Sequence, residues 1–146
     1  MESFWTASPH FELSQTNNVS QIVRRMFLAA INKPKQLLYL SFIARVEVEQ
    51  LVQSWDEMVL LIADLKPGFR VLTDLSRLDS IGADCVPEIG KTMELCDQKG
   101  VGLIVRVVPD PTKDIGLNIL SHFHYAQRPR MVTCESMAEA AKLLSL

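Results

Sequence analysis

Leu37-Leu38-Tyr39-Leu40-Ser41-Phe42-Ile43-Ala44-Arg45-Val46 is a nearly continuous apolar run, rich in residues that favour strands. A strand with one wet face alternates apolar and polar residues, whereas an unbroken run is expected when both faces are covered, as in an α/β sheet. Directly after it, Val48, Leu51, Val52, Trp55, Met58, Val59 and Ile62 recur at spacings of three and four. This predicts a long helix from Glu47 to about Leu65, with glutamates at its positive end and Lys66-Pro67-Gly68 closing it.

The strand-helix pair repeats downstream. Phe69 to Leu75 reads as a second strand, and a turn over Arg77 to Gly82 leads into a helix from about Asp84 to Lys99. Pro87 is tolerable in that first turn, where backbone N–H groups have no intrahelical partner. Gly100 suits a helix C-cap, Leu103 to Val108 is a third strand, and Pro109-Asp110-Pro111 stops it. A helix from about Thr112 to Tyr125 follows, then a short strand from Arg130 to Cys134. Ser136 and Glu139, three apart, form a capping box for the last helix. Strands alternating with helices imply right-handed crossovers and a largely parallel sheet of about four to five strands with helices packed on it.

Upstream of the opening run, Asn17 and Asn18 suit an N-cap. Val19, Ile22, Val23, Met26, Phe27 and Ala30 follow helical spacing, with Arg24 and Arg25 on the other side. This predicts an N-terminal amphipathic helix ended near Lys33-Pro34. Phe4, Trp5, Phe11 and Leu13 show no clear period and suit an extended arm. The organisation expected is an arm and amphipathic helix over residues 1–35 and a core domain over 36–146, together one structural unit, since 146 residues make about one ordinary domain.

A net charge of −2, from 15 basic and 17 acidic side chains, gives no general reason to approach nucleic acid or an anionic membrane. The segment Met1-Glu2-Ser3-Phe4-Trp5-Thr6 has neither the basic nor the apolar part of a secretion signal. The longest apolar runs, Met26 to Ile31 and Met58 to Ala63, are far shorter than the roughly 20 residues that span a bilayer. Cys85, Cys96 and Cys134 are odd in number and match no metal-ligand spacing, which suits buried thiols in a reducing compartment. A cytoplasmic protein is expected.

Catalytic signatures are missing from the sequence. Gly100-Val101-Gly102, the one Gly-x-Gly, precedes a strand instead of opening a helix, so no phosphate cradle is implied. His122 and His124, two apart on a helix, point about 200° from each other and cannot chelate one ion. Glu47, Glu49, Asp56 and Glu57 suit a helix start and its solvent face, and no nucleophile elbow exists. No metal and no cofactor are expected. Arg24, Arg25, Lys33 and Lys35 read as a solvated face.

Within the helix after Pro111, His122 falls with Ile115, Ile119, Phe123 and Ala126, which suits a partly buried stripe. Leu117, Leu120 and His124 form a second face, a candidate secondary interface. Either the amino-terminal segment folds over it, or a partner or second copy of the chain does.

Leu72-Thr73-Asp74-Leu75-Ser76-Arg77-Leu78-Asp79-Ser80-Ile81-Gly82-Ala83 resembles the STAS family of anti-sigma factor antagonists, in which an Asp-Leu-Ser-like strand end leads to Asp-Ser-Ser-Gly before a helix. The order of elements from Leu37 to Leu146 is also similar to that family. The resemblance implies a STAS-like fold and a cytoplasmic, bacterial signalling module without catalysis, acting on a protein partner that is an anti-sigma factor and kinase. Carried over by position, it makes Ser80 the candidate phosphoacceptor, and Ser76, Asp79, Ser80, Gly82 and Asp84 the candidate partner surface. Ile81 stands where the family has a second serine or threonine, Ala83-Asp84 replaces an apolar pair, and Pro87 with the longer stretch to Gly100 changes the helix start. A turn or capping role for Ser80 stays open beside the phosphoacceptor role.

Two rival functions also stay open. A carrier or sensor of a small apolar ligand would use the available Met, Phe and Leu side chains to line a pocket. A small enzyme would need distant polar residues, such as His122, Asp74 and Asp79, to converge in space.

Overall fold

The computed structural model describes residues 12–16, 19–23, 26–110, 112 and 115–146. In chain order the elements are β1 (Glu12–Thr16), β2 (Val19–Val23), β3 (Phe27–Asn32), β4 (Leu37–Val46), α1 (Val48–Gln53), α2 (Trp55–Ala63), β5 (Arg70–Ile81), α3 (Val86–Lys99), β6 (Leu103–Val107), α4 (Ile115–His124), β7 (Arg130–Cys134) and α5 (Met137–Leu144). The strands form one mixed sheet in sequence order, β1-β2-β3-β4-β5-β6-β7. The pairings up to β3–β4 are antiparallel, and those from β4–β5 onward are parallel.

The opening apolar run is β4, and both its faces are covered. Leu38, Leu40 and Phe42 join the larger core under α1, α2, α3 and α4, while Leu37 joins a smaller core under α5 with Leu72, Val105, Val107, Ala140 and Leu144. Arg70 at the start of β5 helps to seat the α5 layer, its Nη1 donating to the carbonyl of Leu144 at 2.6 Å.

In place of the amphipathic helix that the spacing predicts, Val19–Val23 and Phe27–Asn32 form the antiparallel strands β2 and β3. Tertiary pairing decides this. β3 lies along β4 from Phe27↔Phe42 to Asn32↔Leu37, and it buries alternate residues Phe27, Ala29 and Ile31 in the larger core. Apolar residues four apart fit one strand face as well as one helix face, so their spacing did not distinguish the two. Lys33-Pro34, read as a helix stop, begins a hairpin turn closed by Gln36 N–H to the Lys33 carbonyl. The boundary at 35/36 therefore falls inside a hairpin, and the sheet has seven strands among the described residues, where four to five were expected. The arm residues Phe4, Trp5 and Phe11, the cap Asn17-Asn18 and Arg24-Arg25 lie outside the described residues.

Two further boundaries differ. The helix expected over 47–65 is divided into α1 and α2 at the buried Ser54, whose hydroxyl donates to the Gln50 carbonyl at 2.6 Å. The turn expected over 77–82 is instead the end of β5, which keeps its ladder with β4 through two register shifts as far as Val46↔Ile81. Pairing with β6 stops at Asp74↔Val107, so the end of β5 has one neighbour only. Its polar residues, Ser76, Arg77, Asp79 and Ser80, are exposed and resemble a turn in sequence for that reason.

α3 begins with Pro87 in its first turn and ends at Gly100 with φ 92°, whose N–H reaches the carbonyls of Cys96 and Asp97. A glycine tolerates that left-handed conformation without a Cβ clash. Buried Asp97 joins α3 to the turn after α4, its carboxylate accepting the N–H groups of Ala126 (3.2 Å) and Gln127 (3.1 Å). At α5 the serine half of the expected capping box forms, with Ser136 Oγ accepting from Glu139 N–H at 3.2 Å, while the Glu139 carboxylate accepts from Glu135 N–H, one residue before the cap, at 3.3 Å.

Replacing Asp97 by Ala strands two backbone donors and should lower stability by about 1–3 kcal/mol. Leu38→Ala, at a fully buried position, should cost about 2–5 kcal/mol. Urea unfolding followed by circular dichroism measures both, and an unchanged midpoint for Asp97→Ala would show that the turn after α4 does not depend on this carboxylate.

Candidate functional site

Beyond Asp74 the end of β5 runs alongside β4 alone, and Gly82 then leads through a 3-10 turn (Ala83–Cys85) into α3. The turn is tightly built. Cys85 N–H donates to the Gly82 carbonyl at 2.9 Å, and Asp84 folds back so far that a Cβ on Gly82 would lie 2.6 Å from its Oδ1. Burial, and then the charge of Asp84, pushes the Cys85 thiol up.

The missing β6 neighbour leaves space beside the end of β5, and α4 forms the far wall. The result is an open groove of about 500 Å³ between β5 residues Leu78 to Ile81, Val86 and Ile89 of α3, and the Gly116, Ile119, Leu120 and Phe123 side of α4. Its rim is apolar and exposed, with Val86 at 44%, Ile119 at 55% and Phe123 at 78% of full exposure. Two surfaces that the sequence suggested separately meet here, because Asp79 and Ser80 share the groove with Leu117 and Leu120. Ser76 does not line it. Its N–H and hydroxyl both donate to the Asp74 carboxylate, at 2.9 and 2.6 Å.

Ser80 lies in a strand, opposite Arg45 of β4, and not at a helix terminus, since α3 begins only at Val86. The residue is exposed and lines the groove. Arg45 pairs with Glu47, which precedes α1, at 3.4 Å.

The two faces of α4 are reversed relative to the reading of the sequence. Leu117 and Leu120 pack on the larger core, and His124 reaches Glu94 of α3, while His122, Ile119 and Phe123 are exposed. Arg106 explains the rotation. This buried side chain of β6 donates to Ser121 Oγ at 3.0 Å and Asn118 Oδ1 at 2.6 Å, so the helix turns those acceptors toward the sheet. A buried cation without hydrogen bonds would cost several kcal/mol, about as much as burying one or two large apolar side chains returns. Arg106 carried no recognisable signal within its apolar strand.

Behind the groove lies a smaller inner cavity of about 70 Å³, lined mainly by apolar side chains such as Phe27, Leu40, Trp55, Met58, Met93 and Tyr125. Ile81, Ile89 and Leu117 line both spaces and form the partition between them. The phenol of Tyr125 is pushed well above its ordinary range by burial.

The residues that would have favoured an enzyme are not brought together. Asp74 is buried and accepts a hydrogen bond from Tyr39 Oη at 3.3 Å besides those from Ser76, and burial raises the Tyr39 phenol. Asp79 is in the groove and His122 lines neither cavity. Among the described residues no three His, Cys, Asp or Glu side chains are grouped to hold a metal. No helix there is long and apolar enough to cross a membrane.

No family model and no curated protein matches the chain. Solved structures do. An uncharacterized protein of the DUF3478 family with a SpoIIAA-like fold, from Shewanella loihica PV-4, is 12% identical over 92% of each chain with a TM-score of 0.59. The anti-sigma factor antagonist SpoIIAA in its unphosphorylated form is also 12% identical, over 93% of this chain and 98% of its own, with a TM-score of 0.54. The fold is thus α/β and STAS-like, of the SpoIIAA type.

Cys85, Cys96 and Cys134 are free and buried, and burial together with the Asp97 charge pushes the Cys96 thiol up to about 12. Only the thiolate reacts quickly, so a raised value keeps the group protonated and inert at pH 8. A disulfide reagent such as Ellman's should therefore label the native protein slowly at pH 8 and all three cysteines rapidly in urea. Fast labelling of Cys96 without denaturant would contradict the burial described.

Proposed function

We propose that the chain is a non-catalytic regulatory module that docks a protein partner in the groove at the end of β5, with Ser80 as a phosphorylation switch on its rim. The observation that carries this reading is the meeting of Asp79 and Ser80 with the exposed apolar residues Ile119 and Phe123 in one open groove. Large apolar side chains exposed together mark interaction sites more often than isolated ones do, and aromatic residues contribute most to such contacts. The likeness to an anti-sigma factor antagonist supports a cytoplasmic signalling role and a partner of the anti-sigma factor and kinase type. Gly82 and Asp84 flank the docking surface, and Ser76 supports it through Asp74.

The sign of the switch follows from its surroundings. A phosphate on Ser80 would add about two negative charges beside Asp79, on the rim of an apolar surface that docking must dry. Like-charge repulsion and desolvation both oppose docking, so phosphorylation releases the partner.

A second reading is favoured by the inner cavity. Because it shares a partition with the groove, a small apolar molecule entering the groove could pass Leu117 and lodge beneath α3. Native mass spectrometry of the protein from its own host should then show an added mass that organic extraction removes. A single unliganded mass before and after extraction would end that reading.

For the docking reading, affinity capture from the native host compares wild type with Phe123→Asp and Ser80→Asp. Both variants should keep the circular dichroism spectrum of wild type, since both positions are exposed. Both should weaken capture of the same protein about tenfold or more, as loss of an aromatic anchor or an added rim charge implies. Unchanged capture by Ser80→Asp would remove the switch, and unchanged capture by Phe123→Asp would remove the groove as the docking site.

A further inference from the structure

We infer that Arg45 is the receiver of a phosphate on Ser80, and that it leaves Glu47 for that phosphate when the switch is thrown. The two residues are paired across the parallel ladder, Arg45 of β4 against Ser80 of β5. Paired strands lie about 4.8 Å apart, less than the length of an arginine side chain. The next pair along, Val46 with Ile81, packs on the larger core, and side chains alternate along a strand. Arg45 and Ser80 therefore leave the sheet on the same side, away from that core, and both are exposed.

The backbone departs from a regular ladder to make this pair. Ala44 is opposite Leu78, so an unbroken ladder would set Arg45 opposite Asp79, an ordinary cross-strand ion pair. A register shift between Ala44 and Arg45 passes over the aspartate and brings Ser80 there instead. At the shift Ala44 takes a φ of 57°, a left-handed conformation that is unfavourable for a residue bearing a Cβ. Strain of this kind clusters at switch regions and ligand clamps.

The chemistry gives the exchange its direction. Before modification Arg45 is loosely engaged, its Nε lying 3.4 Å from Glu47 Oε1, against about 2.8 Å for a close charge-assisted bond, with 68% of its side chain exposed. A phosphate brings about two negative charges and three acceptor oxygens, and a guanidinium can bond it through two parallel N–H groups. The Glu47 carboxylate carries one charge, so the phosphate is the better partner. Because Glu47 already balanced Arg45, the exchange leaves the charge added to the site unchanged, in keeping with release of a docked partner. It also carries the modification from the end of β5 to Glu47, the residue that precedes α1. The other charged groups nearby act differently. Asp79 and Asp84 repel a phosphate, and Arg77 lies three residues back along β5, roughly 10 Å away at about 3.3 Å per residue. The pairing rests on Ser80 as the switch residue proposed above.

Phosphorus NMR of the full-length protein, made with phosphoserine at position 80, tests the pairing without a kinase or a partner. A neighbouring cation favours the dianion, so it lowers the second ionisation of the phosphate, which lies near about pH 6 when unperturbed. With Arg45 present the phosphate should titrate about half a pH unit lower than in Arg45→Gln, roughly a threefold preference, as suits an exposed pair. Arg77→Gln should titrate as wild type does. The Nε–H resonance of Arg45 should move on phosphorylation, while that of Arg70, held by the carbonyls of Lys35 and Leu144, should stay in place. Equal titration with and without Arg45, an equal change in Arg77→Gln, or an unmoved Arg45 resonance would overturn the pairing. Such a failure leaves the capture experiments untouched, and unchanged capture by Ser80→Asp leaves the titration untouched.

Discussion

The parallel ladder between β4 and β5 carries the rest of the molecule. β4 is the strand at which the sheet changes from antiparallel to parallel pairing, and it contributes side chains to the cores on both faces. β5 shares that position only as far as Asp74. Past this point β6 ends, and the ladder to β4 alone carries Ser76 to Ile81 outward through two register shifts. Such irregularities bend a strand and re-aim its side chains, and they recur next to functional sites. The groove exists because one strand outruns its neighbour.

A second constraint sets the character of that groove. Arg106 is buried in a strand that is otherwise apolar, and a guanidinium there requires acceptors. Ser121 and Asn118 supply two of them from α4, which fixes the rotation of the helix about its axis. Ile119 and Phe123 are then left outside, where they cost solvation that an isolated domain would avoid. The polar requirement of the interior thus produces the apolar rim outside. The contacts that secure the same helix at its far end, through Asp97 and through His124 on Gly90, come from α3, so the groove wall depends on two neighbours at once.

How far this was legible in the sequence varies by region. From Leu37 onward the alternation of strands and helices, the Gly100 cap and the Ser136 N-cap were all readable, because each rests on local periodicity or on one residue's conformational preference. The run from Val19 to Ile31 was misread, since apolar residues at intervals of four satisfy a strand's period of two as well as a helix's. Edge exposure made the end of β5 look like a turn. The motif around Asp79 and Ser80 and the Leu117 and Leu120 face of α4 read as two separate surfaces, because the distance between them along the chain conceals that both line one groove.

By itself, then, the sequence determined the class of fold and the order of elements after Leu37. These follow from which residues must leave water and from how the backbone repeats. Tertiary structure alone decided that Val19–Val23 and Phe27–Asn32 pair as strands, that α4 shows Phe123 to solvent, and that Ser80 and Leu117 line one groove. Each of those outcomes depends on a partner outside the segment itself: β4 across a hairpin for β3, Arg106 for α4, and the early end of β6 for the groove. Local spacing carries no information about which distant group will supply a hydrogen bond or leave a gap.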